Sequence, residues 1–318
     1  MDFDRKVFVV FGATGIQGGS VAKAILDDSI AAKQFRVRAI SRDPAKPAAT
    51  ALAEQGAEVI KADMEAKESL RMAMKDAHGV FAVTDFWQKM EYLAETRQGK
   101  NVADIAKEMG VKHLIWSSLP NISQITDGKL TAAVHFDGKA RVDEYIRSLA
   151  IPHTIVRLGV YNSFLLESLV PVSSDPPSYK LVFPEPVHLK AAMPLLDPSA
   201  DLGGLVKAIL LRPDRSLNRQ FNIAERYYTL EEIINSMKSL GLNVDFQAID
   251  QKTFKDSIAA RGWPDFLQED VVQVFQYATE YGYFQGEGIE QAHELVSQPL
   301  TSLEKSLSGS ADFAKLIK

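Results

Sequence analysis

The chain has 318 residues, 46% of them hydrophobic and 24% charged, which is typical of a globular protein with one large domain or two smaller ones. The formal net charge of −5 argues against a large basic face and against direct binding of nucleic acid. The absence of cysteine excludes disulfides, zinc–thiolate sites and thiol nucleophiles.

The sequence also indicates where the protein works. No stretch is long and apolar enough to span a membrane. The first residues are charged and the apolar run behind them is short, which predicts no signal sequence. Because a chain without cysteine suits a reducing interior, we expect a cytoplasmic protein with no membrane partner. The sequence leaves nuclear entry open.

Three glycines at a spacing of three follow the first predicted strand, residues 7–11, and residues 20–26 continue as a helix. A strand, a glycine turn and a helix form a cradle for a dinucleotide. Gly12 permits the turn, Gly15 lets the chain approach the pyrophosphate, and Gly18 lets the helix pack closely on its strand. A purely structural tight turn is the alternative. The predicted cofactor-binding residues of this turn are Gly12, Ala13, Thr14, Gly15, Ile16, Gln17 and Gly18.

The end of the second predicted strand, residues 35–40, indicates which dinucleotide is bound. An acidic residue there suits the ribose of NAD(H), whereas a basic residue suits the 2′-phosphate of NADP(H). Here Ser41 and Arg42 follow the strand, and an arginine can bind a phosphate through two nitrogens. We therefore predict NADP(H), with a solvated arginine at a loop start as the alternative and Asp43 as a counter-indication.

Strands and helices alternate through the first half of the chain. The further predicted strands are residues 57–62, 79–84, 112–117 and 153–158, and the predicted helices include residues 68–75, 92–109 and 135–149. This alternation predicts an α/β protein with a doubly wound parallel sheet, the Rossmann fold. We assign residues 1–160 to this NAD(P)-binding core and residues 161–318 to a smaller α/β region interwoven with it.

Ligands in open α/β sheets bind beyond the carboxyl ends of the strands. The residues that follow the third and fourth predicted strands are therefore cofactor-lining candidates, with a plain surface loop as the alternative. They are Asp63, Met64, Thr84, Asp85 and Phe86.

The second half of the chain has weaker patterns. Residues 171–186, rich in proline and serine, predict a long irregular loop. Further predicted strands are residues 191–196, 219–223 and 244–249, and Thr229 with Glu232 forms a capping box that opens a helix. Aromatic residues crowd positions 263–284, where core packing is expected for most and a substrate pocket is the alternative.

Several chemistries lack their motifs. The six histidines show no metal-binding pair and no carboxylate cluster has ligand spacing, so we predict no metal site. No nucleophile elbow of a serine hydrolase is present. Nicotinamide chemistry, or binding without chemistry, remains.

The motifs resemble those of the NmrA-like family within the atypical and extended short-chain dehydrogenases. The matching segments are residues 12–18, 41–42, 98–100, 116–119, 135–139, 156–158 and Tyr161. The resemblance implies a Rossmann domain with a small C-terminal domain that binds NADP(H). Some members of this family are non-catalytic redox sensors with a protein partner, and others reduce small organic molecules.

Catalysing short-chain dehydrogenases use a serine, and a tyrosine four residues before a lysine. Here Lys139 and a serine at Ser117 or Ser118 are present, but His135 replaces the tyrosine. Histidine can act as an acid near neutral pH, and an exposed helix-start histidine is the alternative. The resemblance also implies that Lys100 and Lys139 lie near the cofactor, with Tyr161 at its nicotinamide end.

Two functions follow from these patterns. The intact cradle beside an incomplete proton-transfer set favours an NADP(H)-binding regulator that senses redox state and contacts a protein partner. The alternative is an NADPH-dependent reductase of a small apolar substrate, with Lys139 and His135 as its catalytic residues. A scaffold without a nucleotide is disfavoured.

Overall fold

The computed structural model describes residues 5–317, except for the side chains of Lys89 and Tyr92. The first four residues lie outside that range. They are part of the charged start on which the prediction of no signal sequence depends.

The strands form one large sheet and two small ones. They are β1 (Lys6–Val10), β2 (Phe35–Ser41), β3 (Glu58–Lys61), β4 (Ala77–Ala82), β5 (His113–Ser118), β6 (His153–Leu158), β7 (Val160–Tyr161), β8 (Leu169–Ser174), β9 (Pro177–Pro184), β10 (Ala192–Leu196), β11 (Arg219–Ile223), β12 (Arg226–Thr229) and β13 (Val244–Ile249).

The large sheet has seven strands in the order β11-β6-β5-β4-β1-β2-β3, and all of its neighbouring strands are parallel. The strand order reverses direction between β1 and β4, where the chain leaves β1 towards β2 and later returns to β4. A reversal of this kind opens a crevice at the carboxyl ends of the strands. The predicted doubly wound Rossmann sheet is thus confirmed.

Helices connect and cover these strands. They are α1 (Ile16–Leu26), α2 (Ala31–Gln34), α3 (Pro47–Glu54), α4 (Lys67–Ala73), α5 (Phe86–Lys89), α6 (Tyr92–Glu108), α7 (Ile122–Ile125), α8 (Val134–Ser148), α9 (Asn162–Glu167), α10 (Pro198–Leu211), α11 (Pro213–Ser216), α12 (Leu230–Ser239), α13 (Gln251–Ala259), α14 (Asp265–Tyr277), a π-helical turn (Ala278–Gly282), α15 (Glu290–His293), α16 (Leu303–Ser308) and α17 (Ala311–Leu316).

Both faces of the large sheet are covered. On one face α1 packs against α10, and side chains such as Val21 and Leu205 form a core with the sheet. On the other face α4, α6 and α8 form a second core that includes Leu70, Val102 and Val142. Because both faces are buried, the strands are nearly continuous apolar runs, as parallel sheets require.

The second half of the chain contributes to the large sheet and also builds its own core. β11 adds the seventh strand beside β6. A separate apolar core gathers side chains of β9, β10, α12 and α14, among them Phe183 and Phe275. The predicted capping box is confirmed, because the Thr229 hydroxyl accepts the Glu232 amide hydrogen and the Glu232 carboxylate accepts the Thr229 amide hydrogen. The division at residue 160 stays a prediction.

The prediction of an irregular loop over residues 171–186 was wrong. Most of this segment forms the antiparallel hairpin of β8 and β9, and β13 pairs with β9 in parallel. Proline is tolerated at strand ends and on edge strands, where no ladder hydrogen bond is lost. Pro177 and Pro184 stand at the two ends of β9, and Pro171 lies on β8, at the edge of its sheet. Because prolines usually indicate a loop, these residues led to a loop prediction where β8 and β9 are present.

Most of the crowded aromatic residues are core residues, as expected. Phe275, Tyr277, Tyr283 and Phe284 are buried, while Phe266 is exposed. Among residues 5–317, no helix combines the length and the hydropathy needed to cross a bilayer.

Candidate functional site

The glycine turn after β1 has the geometry that a dinucleotide cradle needs. Gly12 has a φ of +65°, a left-handed conformation that favours glycine. A Cβ atom on Gly18 would lie 2.3 Å from the Gly12 carbonyl oxygen and 2.6 Å from that of Phe11. Only glycine therefore lets α1 approach β1 this closely, and the predicted roles of these two glycines are confirmed.

The N-terminus of α1 is available to a phosphate. Gly15 occupies the N-cap position, and the helix start has no side-chain hydrogen bond within the described chain. The Gly15 amide donates to the Gly12 carbonyl at 2.9 Å, which closes the turn. Free amide groups and the positive end of the helix dipole favour an anion at such a position. The residues present thus fit a bound pyrophosphate.

A cavity of about 120 Å³ lies at the reversal point of the sheet. Of the predicted cofactor residues, it is lined by Gly12, Thr14, Ser41, Arg42, Asp63, Met64 and Asp85. Lys46, Gln88 and Gln98 also line it. Sequence analysis named none of the three as a cofactor residue, although Gln98 lies in the matching segment 98–100. Lys46 places a second cation near Arg42, which strengthens the fit to a 2′-phosphate.

Arg42 and Ser41 differ in how free their side chains are. Arg42 is exposed and its guanidinium donates to the side-chain oxygen of Gln88. The Ser41 hydroxyl is buried, donates to the Asp43 carbonyl at 2.9 Å and accepts the Asp43 amide hydrogen. Ser41 therefore shapes the loop, whereas Arg42 has solvent access and can turn to an anion.

A short polar chain connects the glycine turn to the other predicted site residues. The Gln17 amide donates to the Tyr161 hydroxyl at 2.6 Å, and the Ser117 hydroxyl donates to the Gln17 side-chain oxygen at 2.7 Å. Burial raises the pKa of Tyr161 to about 12, so this phenol is neutral at physiological pH. The structure thus brings Tyr161 and Ser117 to the start of α1, at the carboxyl ends of β5 and β7.

Lys139 lies in a buried polar cluster beyond the end of β4. Its ammonium donates to the Thr84 carbonyl oxygen at 3.0 Å, to the Thr84 hydroxyl at 2.8 Å and to the Glu95 carboxylate. The Thr84 hydroxyl donates in turn to Glu95 at 2.7 Å. In this cluster of Lys139, Thr84 and Glu95, the Glu95 carboxylate neutralises the Lys139 ammonium. Sequence analysis did not identify Glu95.

His135 lies one helical turn before Lys139 on α8. Its Nδ1 is hydrogen-bonded to the carboxylate of Asp270 on α14, and its backbone amide donates to the other oxygen of that carboxylate at 3.1 Å. Asp270 is fully buried. The imidazole is therefore fixed in place, which corrects the alternative of an exposed histidine at a helix start.

Aromatic rings surround His135. Its ring centroid lies 5.6 Å from that of Phe86 and 5.4 Å from that of Trp87, and Trp87 lies 5.4 Å from Trp263. Phe86 is buried in this ring cluster and does not line the cavity, whereas Trp87 is 43% exposed. We call Phe86, Trp87, His135 and Trp263 the ring cluster. It gives the site an apolar wall next to Lys139.

Three predicted residues lie apart from these groups. The Lys100 ammonium lies 5.1 Å from the ring centroid of Tyr145 on α8, outside the cavity lining. Ala13 is buried in the core beneath the turn, and the Ile16 side chain is 54% exposed. Their roles toward a cofactor stay predictions.

Glu95 and Asp270 left a weak signal in the sequence. Glu95 shares a helix face with Val102, seven residues later, and Asp270 shares one with Leu267 and Tyr277. A lone carboxylate on an otherwise apolar helix face implies a buried partner. The pattern does not identify that partner.

Comparison with known proteins agrees with this architecture. The sequence model of the NmrA-like family matches residues 4–307. The chain is 28% identical to the NmrA-like family domain-containing oxidoreductase FrzB of Cladobotryum sp., over 89% of this chain and 88% of that protein.

Solved structures share the fold. NmrA, a negative transcriptional regulator in complex with NADP, superposes with a TM-score of 0.75 at 19% identity, covering 97% of this chain and 99% of that one. The NADPH complex of the quinone oxidoreductase QOR2 from Escherichia coli gives 0.74 at 21% identity, covering 95% and 98%. The family match spans nearly the whole chain, so this protein belongs to the NmrA-like family.

Proposed function

We propose that this protein binds NADP(H) at the carboxyl end of its large sheet and reduces a small apolar substrate there. The glycine turn and the uncapped α1 suit the pyrophosphate, and Arg42 and Lys46 suit the 2′-phosphate. NmrA and QOR2 are NADP- and NADPH-bound relatives in fold, which supports this choice of cofactor.

The protein's own residues divide the remaining work. Hydrogen bonds to Gln17 hold Tyr161 and Ser117 at the start of α1. In that position they suit the nicotinamide end of the cofactor. Lys139 places a cation beyond β4, and its pairing with Glu95 keeps the net charge of that cluster low. The ring cluster supplies an apolar wall beside the substrate position. When bound, the cofactor supplies the hydride.

The observation that carries the reductase proposal is the His135–Asp270 pair within the ring cluster. A titratable group next to an apolar wall and a cofactor cleft is typical of an enzyme site. In the sequence, the proton-transfer set lacks its tyrosine. Asp270 supports a different interpretation, in which a fixed imidazole takes the tyrosine's place. FrzB is itself named an oxidoreductase, which agrees.

A redox-sensing regulator with a protein partner is the second candidate. The observation that favours it is a set of exposed apolar side chains on the helices that follow β1 and β4, since Ile16, Trp87 and Leu93 are each more than two-fifths exposed. Such surface suits a protein contact. NmrA, with the same fold, is a negative transcriptional regulator. A regulator would bind NADP(H) without consuming it.

Steady-state NADPH oxidation against carbonyl, quinone and imine compounds separates these two functions. The reductase proposal expects turnover of at least one aromatic member by the wild type and a large loss in Lys139→Met. The matched control is Lys252→Met, because Lys252 is an exposed lysine on α13. NADPH binding without turnover of any compound would contradict the reductase and favour the regulator.

A further inference from the structure

We propose that His135, and not Lys139, delivers the proton in this reduction, and that Asp270 is the positioning residue that presents the imidazole. The inference rests on the proposed reductase function and assigns the roles within its site. It goes beyond the sequence expectation, which named Lys139 and His135 together as candidate catalytic residues without dividing their roles.

The hydrogen bonds of Lys139 argue against a role as the proton donor. An ammonium group has three N–H donors and no acceptor. The three acceptors around Lys139 are the Thr84 carbonyl oxygen at 3.0 Å, the Thr84 hydroxyl oxygen at 2.8 Å and the Glu95 carboxylate. All three donors are used inside the protein. Lys139 therefore has no hydrogen left to direct at a substrate unless this buried cluster breaks.

His135, in contrast, has one ring nitrogen that is not engaged by the protein. Asp270 accepts hydrogen bonds from both the backbone amide and Nδ1 of this residue, so the Nδ1 hydrogen is held by the carboxylate. Among residues 5–317, leaving aside the side chains of Lys89 and Tyr92, Nε2 of His135 makes no hydrogen bond. Because the side chain is 13% exposed, water can return a proton to Nε2 after each turnover.

The position of His135 suits a proton donor. It lies four residues before Lys139 on α8, so both side chains lie on the same helix face. Lys139 contacts Thr84, and the His135 ring contacts Phe86 and Trp87, which follow Thr84 along the chain. Both residues thus face the segment that leaves β4 beside the cofactor cleft.

The chemistry indicates the substrate class. The ring cluster favours a flat aromatic compound, and a proton donor requires an atom that gains a hydrogen. We infer an aromatic carbonyl or imine. The substrate carbon gains a C–H bond from the hydride that NADPH supplies. The His135 ring starts with a hydrogen on both nitrogens; its Nε2–H bond breaks, an O–H or N–H bond forms on the substrate, and the neutral ring keeps its hydrogen on Nδ1 beside Asp270. The substrate gains two electrons, NADPH becomes NADP⁺, and solvent reprotonates the imidazole.

Nitrogen NMR of ¹⁵N-histidine-labelled protein without any coenzyme tests the geometric part. The His135 signals are assigned by their loss in His135→Gln. We expect the neutral ring to carry its hydrogen on Nδ1 in the wild type and to lose that preference in Asp270→Asn. A neutral ring that carries its hydrogen on Nε2 in the wild type would overturn the proposal, even if Asp270→Asn fails to fold.

Kinetics of His135→Ala test the chemical part. We expect kcat to fall about 10²- to 10⁴-fold, as for other lost acid–base groups, with NADPH affinity unchanged and turnover restored by added imidazole. His188→Ala, at an exposed histidine, is the matched control and keeps full activity. Unchanged kcat in His135→Ala, or no rescue by imidazole, would overturn this inference alone. Absence of turnover in the wild type would instead defeat the proposed reductase.

Discussion

The Lys139 ammonium and the Glu95 carboxylate form an ion pair in the protein interior, between α8 and α6. The side chains are only 11% and 1% exposed. One Glu95 oxygen, Oε2, has no hydrogen-bond partner in the described part of the chain. Because water screens little at such a position, each charge depends on the other for compensation.

Removing either partner alone is expected to be costly. Glu95→Leu leaves a buried ammonium unpaired, and Lys139→Met does the same to the carboxylate. Each should lower the free energy of unfolding by about 3–5 kcal/mol in urea denaturation. The double variant should cost well below the sum of the two, because it leaves no unpaired charge.

The exposed pair of Lys252 and Asp256 on α13 is the control for this cycle, with 2.6 Å between its charged atoms. Breaking it with Lys252→Met should leave the free energy of unfolding nearly unchanged, because water screens surface pairs. If the loss of unfolding free energy in the double variant equals the sum of the losses in Glu95→Leu and Lys139→Met, then Lys139 and Glu95 are not coupled.

Arg42 should determine the preference for NADP(H). Arg42→Ala removes a charged contact to the 2′-phosphate, which NAD(H) lacks. We expect NADPH binding to weaken by about 1–3 kcal/mol and NADH binding to change little in calorimetric titrations. Arg36→Ala, at a half-exposed arginine on β2 that pairs with Glu58, is the control. Equal losses for both coenzymes would remove Arg42 from this role.

Gly18 should be intolerant of a side chain. The Cβ atom of Gly18→Ala would contact the backbone of Gly12 at 2.3 Å, so α1 has to move away from β1. Overpacking of this kind costs on the order of 1–3 kcal/mol, and the phosphate cradle is displaced with it. Thermal unfolding and NADPH titration measure the two effects.

Gly204 offers the opposite result on α10. Apart from its chain neighbours and the backbone of α10, no atom of the described residues lies within 4 Å of a Cβ built there, and alanine is the better helix former. Gly204→Ala should therefore raise the free energy of unfolding by about 0.5–1 kcal/mol. A Gly18→Ala protein as stable as the wild type would refute the close-packing account.

Asp143 makes the stability depend on pH. It lies on α8, and burial raises the pKa of its carboxyl group to about 7, which Ser118 and the Arg157 guanidinium offset only in part. Between its ordinary pKa of about 4 and pH 7, the folded protein binds more protons than the unfolded chain. This group's contribution to stability is therefore complete at low pH and lost as the pH rises towards 7.

Asp143→Asn should remove that loss. We expect its urea midpoint to exceed that of the wild type at about pH 8, with a smaller difference at about pH 5. Glu144→Gln, at the exposed neighbouring carboxylate, should follow the wild type at both values. A gap between Asp143→Asn and the wild type that widens towards acid pH would reverse the sign and contradict the assignment.

Periodicity alone predicted most of the large sheet. The predicted strands 153–158 and 219–223 have the same bounds as β6 and β11 of that sheet. A buried parallel strand is a continuous apolar run, which the sequence displays directly. The hairpin of β8 and β9 was missed because its prolines lie at strand ends and at a sheet edge, where local patterns indicate a loop.

The site was predicted only in part. Of the residues predicted after the third and fourth strands, Asp63, Met64 and Asp85 line the cavity because topology brings those strand ends together, whereas Thr84 and Phe86 do not line it. The partners of Lys139 and His135 lie 44 and 135 residues away, on α6 and α14. Periodicity shows which side of a helix is buried, but it does not show which residue of another element contacts that side. Glu95 and Asp270 therefore required the fold.

A crystal structure of the complex with NADP⁺ tests the central claim most directly, through the position of the nicotinamide ring. The account predicts a ring between Tyr161 and Lys139, with one face open towards the ring cluster and the 2′-phosphate beside Arg42. A nicotinamide with both faces covered by side chains, or a ring remote from His135, would leave no path for a hydride and would contradict the reductase proposal.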